Sequence, residues 1–268
     1  MAQRQPFPYI QDMSLLRRLF STQTNAAPEA FTAPLAPEEP FYVVGDIHGG
    51  EYLMARLLSK IEQDEPDRPP KIVCVGDYVD RGEASAAVLR WLFTLSTDPE
   101  LTLICLMGNH EDMMIRFIDE PAKRGPRWLR YGGLQTLASF GIGGVSESSS
   151  TNALENARDE LVSAMGDDLI EWLKGLPSVW QSGNVAVVHA GADPSVPIDK
   201  QEKRDLIWGH RDFRHLIRRD GVWVVHGHTI VEHANATDGR IAVDTGAYAT
   251  GRLTAAHISS QGVRFIET

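Results

Sequence analysis

Cysteine is scarce in this chain of 268 residues: only Cys74 and Cys105 occur, each inside an apolar run. Two such thiols cannot make a disulfide framework. They read as small buried side chains in a protein of a reducing compartment, so a cytoplasmic location is expected. Long apolar runs are missing too. No stretch approaches the roughly 18 residues needed to span a bilayer, which argues against stable membrane insertion. Positive charge is also short. Twenty-six Lys and Arg stand against 36 Asp and Glu, a formal net charge of −10, which speaks against a general nucleic-acid binder. It leaves room for a phosphorylated substrate, because metal ions and a few arginines make a locally positive pocket even in an acidic protein.

What is present suits one sizeable α/β domain preceded by an appendage. Residues 1–40 hold six of the fifteen prolines (Pro6, Pro8, Pro28, Pro34, Pro37 and Pro40). Within them, residues 13–20 have the pattern of two amphipathic helical turns with Ser14 as N-cap. A secretory signal would need a continuous apolar core and a small-residue cleavage site, and neither is there. Residues 41–268 form the expected domain, with no internal repeat or boundary.

From Phe41 onward, strand and helix signals alternate. Short apolar runs at 41–44, 72–75 and 101–106 predict strands. Between and after them, residues 51–63, 84–95 and 110–118 have apolar side chains at helical spacing. This order predicts a parallel sheet with helices on its faces, and in such sheets ligands gather at the carboxyl ends of the strands. Residues 118–177 read as a helical insertion containing a Gly/Ser-rich loop at 141–150. Strands resume at 185–188, 222–225 and 240–243, and the runs 252–258 and 262–266 read as a hairpin.

The motifs sit directly after these runs: Gly45-Asp46-Ile47-His48-Gly49, Gly76-Asp77-Tyr78-Val79-Asp80-Arg81-Gly82 and Gly108-Asn109-His110-Glu111, then His189-Ala190-Gly191 and Gly227-His228-Thr229. Each is weak alone, but together they put ligand-type side chains at corresponding strand ends. Carboxylate, amide and imidazole donors suit manganese, with iron or zinc as alternatives, better than calcium, which prefers all-oxygen shells. The expected assignment is Asp46, His48 and Asp77 on one divalent ion, and Asp77, Asn109, His189 and His228 on a second. Two ions roughly 3.5–4 Å apart hold a bridging hydroxide and orient the attacking and leaving oxygens of a phosphate ester.

In combination these residues resemble the bacterial branch of the phosphoprotein phosphatase family of calcineurin-like metallophosphoesterases, over nearly all of residues 41–268. Trp128, Gly132-Gly133, Thr136-Leu137, Leu176-Pro177 and Asp244-Thr245-Gly246 are similar to that branch as well. The resemblance implies a central mixed β-sandwich flanked by helices. It also implies that His110 protonates the leaving alkoxide as general acid, that Asp80 fixes the His110 tautomer, and that Arg81 and Asn109 bind phosphate oxygens. The family's second phosphate-binding arginine follows a tryptophan. Here Trp208-Gly209-His210-Arg211 puts Arg211 one residue late, with Arg214 as the alternative. Glu111 reads as an acidic helix start, and His226 as a packed histidine rather than a ligand.

Two activities follow from the resemblance. The first is a metal-dependent phosphomonoesterase of the Ser/Thr protein phosphatase type, acting on a phosphorylated protein or a small phosphate ester. The alternative is a symmetrical dinucleoside polyphosphate hydrolase, with residues 118–177 shaping its pocket. A non-catalytic scaffold would have lost a ligand or the acid pair, and all of them are present.

Overall fold

In the computed structural model, residues 30–65 and 69–268 are described; the helical turns expected at 13–20 lie outside them. The first half alternates as the apolar spacing predicts. It runs β1 (Phe41–Val44), α1 (Glu51–Asp64), β2 (Lys71–Cys74), α2 (Ser85–Thr97), β3 (Thr102–Cys105) and α3 (Asn109–Asp119). The insertion follows as α4 (Pro121–Trp128), a π-turn (Leu129–Gly133), α5 (Leu134–Ser139), α6 (Thr151–Met165) and α7 (Asp167–Lys174). The second half holds β4 (Val179–Ser182), β5 (Val185–Val188), α8 (Lys203–Trp208), β6 (Trp223–His226), β7 (Asn235–Thr237), β8 (Arg240–Ala242), α9 (Ala247–Thr250), β9 (Thr254–Ser259) and β10 (Gly262–Glu267).

These strands make two five-stranded sheets, ordered β10-β9-β1-β2-β3 and β4-β5-β6-β8-β7. β1, β2 and β3 are parallel, as are β5, β6 and β8, while β9, β10, β4 and β7 join through antiparallel pairs. Strand residues alternate faces, which sorts the core into layers. Phe41, Val43, Val73 and Val75 of the first sheet meet Val185, Val187, Val225 and Ile241 of the second, all fully buried. The opposite face of the first sheet (Tyr42, Val44, Ile72, Cys74, Cys105) packs on α1, α2, α3 and the insertion. Ala186, Val188 and Val224 turn outward to Ile198, Leu206 and Phe213. The result is a mixed β-sandwich flanked by helices. Cys74 and Cys105 face one another across β2 and β3 as free buried thiols.

The later part of the N-terminal segment lies on the second sheet. Phe31 packs edge-on to Trp223 at 5.0 Å, and Asn184 accepts from the Ala36 amide (2.7 Å) and donates to the Pro34 carbonyl (2.8 Å). Three elements lack a clear pattern in the sequence. α4 carries Gly125 and Pro126, yet Pro121 stands at its first turn, where a missing N–H costs nothing. β7 is fully exposed and exists through its ladder with β8. β4 extends the second sheet beyond β5.

Candidate metal centre

The strand-end motifs converge in one cleft because the backbone leaves β1, β2 and β3 in tight turns. His48 (φ 46°), Asp77 (54°), Asp80 (71°) and Arg81 (69°) all adopt left-handed conformations, as does His228 (62°) on the second sheet. The loops after β1 and β2 are stitched together: the Ile47 and His48 amides donate to the Asp77 carbonyl (3.0 and 2.8 Å), and the Gly49 amide to that of Tyr78 (2.8 Å). Gly76 and Gly108 permit this closeness. A Cβ on Gly76 would lie 2.5 Å from the Gly108 nitrogen, and one on Gly108 would lie 2.3 Å from the Asp77 nitrogen.

Two sets of ligand atoms lie within 4.8 Å of one another: His48, Asp77 and His110, and Asp77, His189 and His228. Asp77 is common to both. The Asn109 amide oxygen sits between His189 Nε2 and His228 Nδ1, 2.8 Å from each. Asp46 lies beside the second set, its carboxylate accepting from the His228 amide at 3.1 Å. A carbonyl can only accept. His48 Nδ1 therefore donates to Val79 O (2.7 Å) and His189 Nδ1 to Val75 O (3.1 Å), which turns both Nε2 atoms toward Asp77, at 3.6 and 3.4 Å. A ring nitrogen oriented in this way is the arrangement metal-binding histidines use.

The electrostatics call for a cation. Asp46, Asp77, Glu111 and Asp244 are buried together. Burial and the neighbouring Asp244 push the Asp46 carboxyl well above its usual range. Burial opposes protonation of His189, but Asp77, Asp46 and Glu111 outweigh it and raise the imidazole to about 9. Burial dominates at His48 and His228, which fall to about 3 and about 4. Two neutral imidazoles, a third held protonated only by carboxylates, and acidic groups in excess form a donor set that fits divalent ions.

Beside this set stands an acid pair. His110 Nδ1 donates to Asp80 Oδ2 at 2.6 Å. Burial depresses the imidazolium, yet Asp77 and Asp80 overcome it and hold His110 above the ordinary histidine range. Asp80 is fully buried and also accepts from Trp128 Nε1 (3.0 Å) and Thr136 Oγ1 (2.6 Å). Arg81 Nη2 reaches His110 Nε2 at 3.1 Å, and its guanidinium lies 4.6 Å over the Tyr248 ring. Arg81, His110 and Tyr248 thus border the same opening, with Tyr248 also 5.3 Å from the His48 ring.

Arg211 lies apart. Its side chain is 88% exposed and its Nε lies 3.4 Å from neighbouring Asp212; among the described residues, none of its hydrogen bonds or ion pairs reaches the cleft. His226 is buried, with its ring 4.9 Å from Phe213. Sequence reasoning underread three groups. Glu111 is more than a helix start: fully buried, it accepts from the amides of Gly108, Asp77, Tyr78 and Val79 at 2.8–3.2 Å. Trp128 and Thr136 stood out only as a pattern, with no sign that they hold Asp80. Tyr248 had no signal beyond its place after Asp244-Thr245-Gly246.

Comparison with known proteins gives this cleft a context. The chain is 29% identical over 161 residues to the symmetrical bis(5′-nucleosyl)-tetraphosphatase of Nitrosospira multiformis, covering 60% of this chain and 46% of that protein; it spans about half the length of the symmetrical enzymes it matches. It is 26% identical over 235 residues to the asymmetrical bis(5′-nucleosyl)-tetraphosphatase PrpE of Oceanobacillus iheyensis, covering 80% and 86%. Among solved structures, a proposed diadenosine tetraphosphatase shares the fold with a TM-score of 0.58 at 20% identity, over 88% of this chain and 98% of that one. A cold-active protein-tyrosine phosphatase of a Shewanella species does so at 0.57 and 16%, over 85% and 80%. The family model for calcineurin-like phosphoesterases matches residues 39–239, a span that takes in every ligand position from Asp46 to His228, and the chain belongs to that family.

Proposed function

We propose that the chain hydrolyses dinucleoside polyphosphates of the bis(5′-nucleosyl)-tetraphosphate class, by direct attack of water at phosphorus. The observation that carries the substrate class is its similarity, over most of its length, to a tetraphosphatase. The Ser/Thr protein phosphatase reading uses the same residues, so the cleft by itself does not separate the two, and the relatives favour the dinucleotide. The fold shared with a tyrosine phosphatase supports neither.

Asp46, His48 and Asp77 would hold one divalent ion, and Asp77, Asn109, His189 and His228 the other; the sharing of Asp77 by both sets of donors supports its bridging role. Bound there, manganese, iron or zinc would supply Lewis acidity and lower the pKa of the attacking water. The chain's own groups do the rest. With Arg81 turned from His110 Nε2 to the phosphate oxygens, His110 would carry a proton at Nε2 for the departing phosphate oxygen, and Asp80 holds the opposite nitrogen in its N–H form. The planar Arg81 guanidinium, backed by Tyr248, binds phosphate oxygens through paired N–H donors. Trp128 and Thr136 keep Asp80 in place through their hydrogen bonds.

The test is turnover by metal-free protein reloaded with manganese, comparing diadenosine tetraphosphate with a phosphothreonine peptide. His110→Asn serves as the contamination control. Faster cleavage of the dinucleotide is expected. Its products, two diphosphates or a triphosphate and a monophosphate, report which phosphorus is attacked. Preferred turnover of the peptide would restore the protein-phosphatase reading.

A further inference from the structure

A cavity of about 520 Å³ opens between α3, α4 and α8, a size usual for small-molecule sites. Its lining departs from the chain's overall charge. Arg116, Arg124, Arg127, Lys203 and Arg204 stand against one carboxylate, Asp112, in a protein of net charge −10. Asp112 is already occupied, accepting from Arg116 Nε at 2.8 Å and Trp208 Nε1 at 3.1 Å. Arg124 pairs with Glu120 at 3.0 Å. Among the described residues, no carboxylate lies at ion-pair distance from Arg127 or Lys203. Instead, the Arg127 guanidinium lies 5.0 Å over the ring of half-buried Trp208.

Two features tie this cavity to the cleft. Trp128 lines it, and its indole nitrogen is bonded to Asp80. Helix α3 begins at Asn109 and His110 and presents Asp112, Met113 and Arg116 to the cavity, roughly 3–10 Å further along its axis. Cations without counter-ions favour phosphate oxygens, and an indole beside them favours the π-face of a base. An acidic peptide would satisfy the charge, but it offers the indole an aromatic face only where it happens to carry one, whereas every nucleotide brings a base. We propose that this cavity is a second substrate subsite, holding the nucleoside phosphate half remote from the phosphorus under attack. Arg127 and Lys203 take its phosphates, and Trp208 lies against its base. This rests on the dinucleotide reading above.

The test uses the metal-loaded full chain and two substrates, diadenosine tetraphosphate and p-nitrophenyl phosphate, which has no second half. Arg127→Gln and Lys203→Gln should each raise KM for the dinucleotide about tenfold. The ratio of kcat/KM for dinucleotide over aryl phosphate should fall by the same factor, and Arg127→Lys should recover part of it. ADP should inhibit dinucleotide cleavage more strongly than pyrophosphate, and Trp208→Phe should narrow that preference. A melting temperature near that of the wild type shows that each variant has folded. Equal losses on both substrates, an unchanged ratio, or inhibition by a phosphopeptide but not ADP would each overturn the subsite while leaving the activity in place. A wild-type protein that cleaves the aryl phosphate but not the dinucleotide overturns the functional reading, and the subsite with it.

Discussion

The two sheets deliver side chains to the same cleft by different means. The first, β10-β9-β1-β2-β3, ends β1 and β2 in turns that hold His48, Asp77, Asp80 and Arg81 in left-handed conformations, whereas the second contributes one such residue to the cleft, His228. Each such residue costs on the order of 1 kcal/mol or more, less for Asp and His than for bulkier side chains. That concentration of strain requires a brace, and Glu111 is one: its carboxylate collects four amides from the turns after β2 and β3. His189, which leaves β5 on ordinary backbone, is held by ring hydrogen bonds to the Val75 carbonyl and the Asn109 amide oxygen. Precision at a ligand site can thus come from a strained, internally braced turn or from a regular strand end, and this protein combines both.

The largest test of the comparison is Asp77→Asn, because Asp77 belongs to both candidate sets. Turnover should fall at least about a thousandfold and both ions should be lost, as metal analysis after dialysis would show. His189→Ala, on the second sheet, should leave about one ion in place. Next, His110→Asn should lower kcat on substrates with poor leaving groups by about 10²–10⁴-fold. The loss should be much smaller on an activated aryl phosphate, with bound metal nearly unchanged. Equal losses on the two would remove His110 as the acid.

Glu111→Ala probes the brace itself. Four buried amides lose their acceptor, so unfolding free energy should drop by about 3–5 kcal/mol; a denaturant midpoint near the wild-type value would mean that the turns hold without it. Thr136→Val removes two hydrogen bonds with Asp80, one donated to its carboxylate and one accepted from its amide, and should cost about 1–3 kcal/mol and roughly tenfold in turnover, read together from melting and kinetics. The smallest effect lies away from the cleft, where Asp64 at the end of α1 meets Tyr42 and Arg264 of the first sheet. Asp64 is held below the usual carboxylate range by hydrogen bonds from Arg264 and Tyr42. A depressed carboxyl stabilises above its unfolded pKa and stops doing so as the pH falls through the folded one. Asp64→Asn should therefore destabilise by about 0.5–1 kcal/mol near neutrality, with the difference shrinking below about pH 4.

Much of this was legible in one dimension. The apolar runs and helical spacings place β1 through α3 within a residue or two, because burial on two faces of a parallel strand leaves a continuous apolar signature. The hairpin of β9 and β10 was readable for a different reason, two strand-like runs joined by the short polar link Ser259-Ser260-Gln261. α4 was not, since its Gly125 and Pro126 are poor helix formers; tertiary contact decides there, with Gly125 fitting against Phe117 and Leu154 where a Cβ would come within 3.2 Å of each. β7 carries no burial signal because both its faces are exposed.

At the cleft, the sequence by itself determined the inventory: carboxylates, amide and imidazoles after apolar runs, with glycines where the chain must turn. Strand ends of a parallel sheet share one edge, so residue type and position were enough to nominate the ligands. The tertiary structure decided what depends on distance between separate elements. It made Asp77 common to two donor sets, set Glu111 beneath the strained turns, and joined Trp128 and Thr136 to Asp80. It also laid Tyr248 against Arg81, left Arg211 on the surface, and gathered cations from α3, α4 and α8 around one cavity. Local spacing constrains neighbours within a few residues, while contacts between distant segments depend on how whole layers pack.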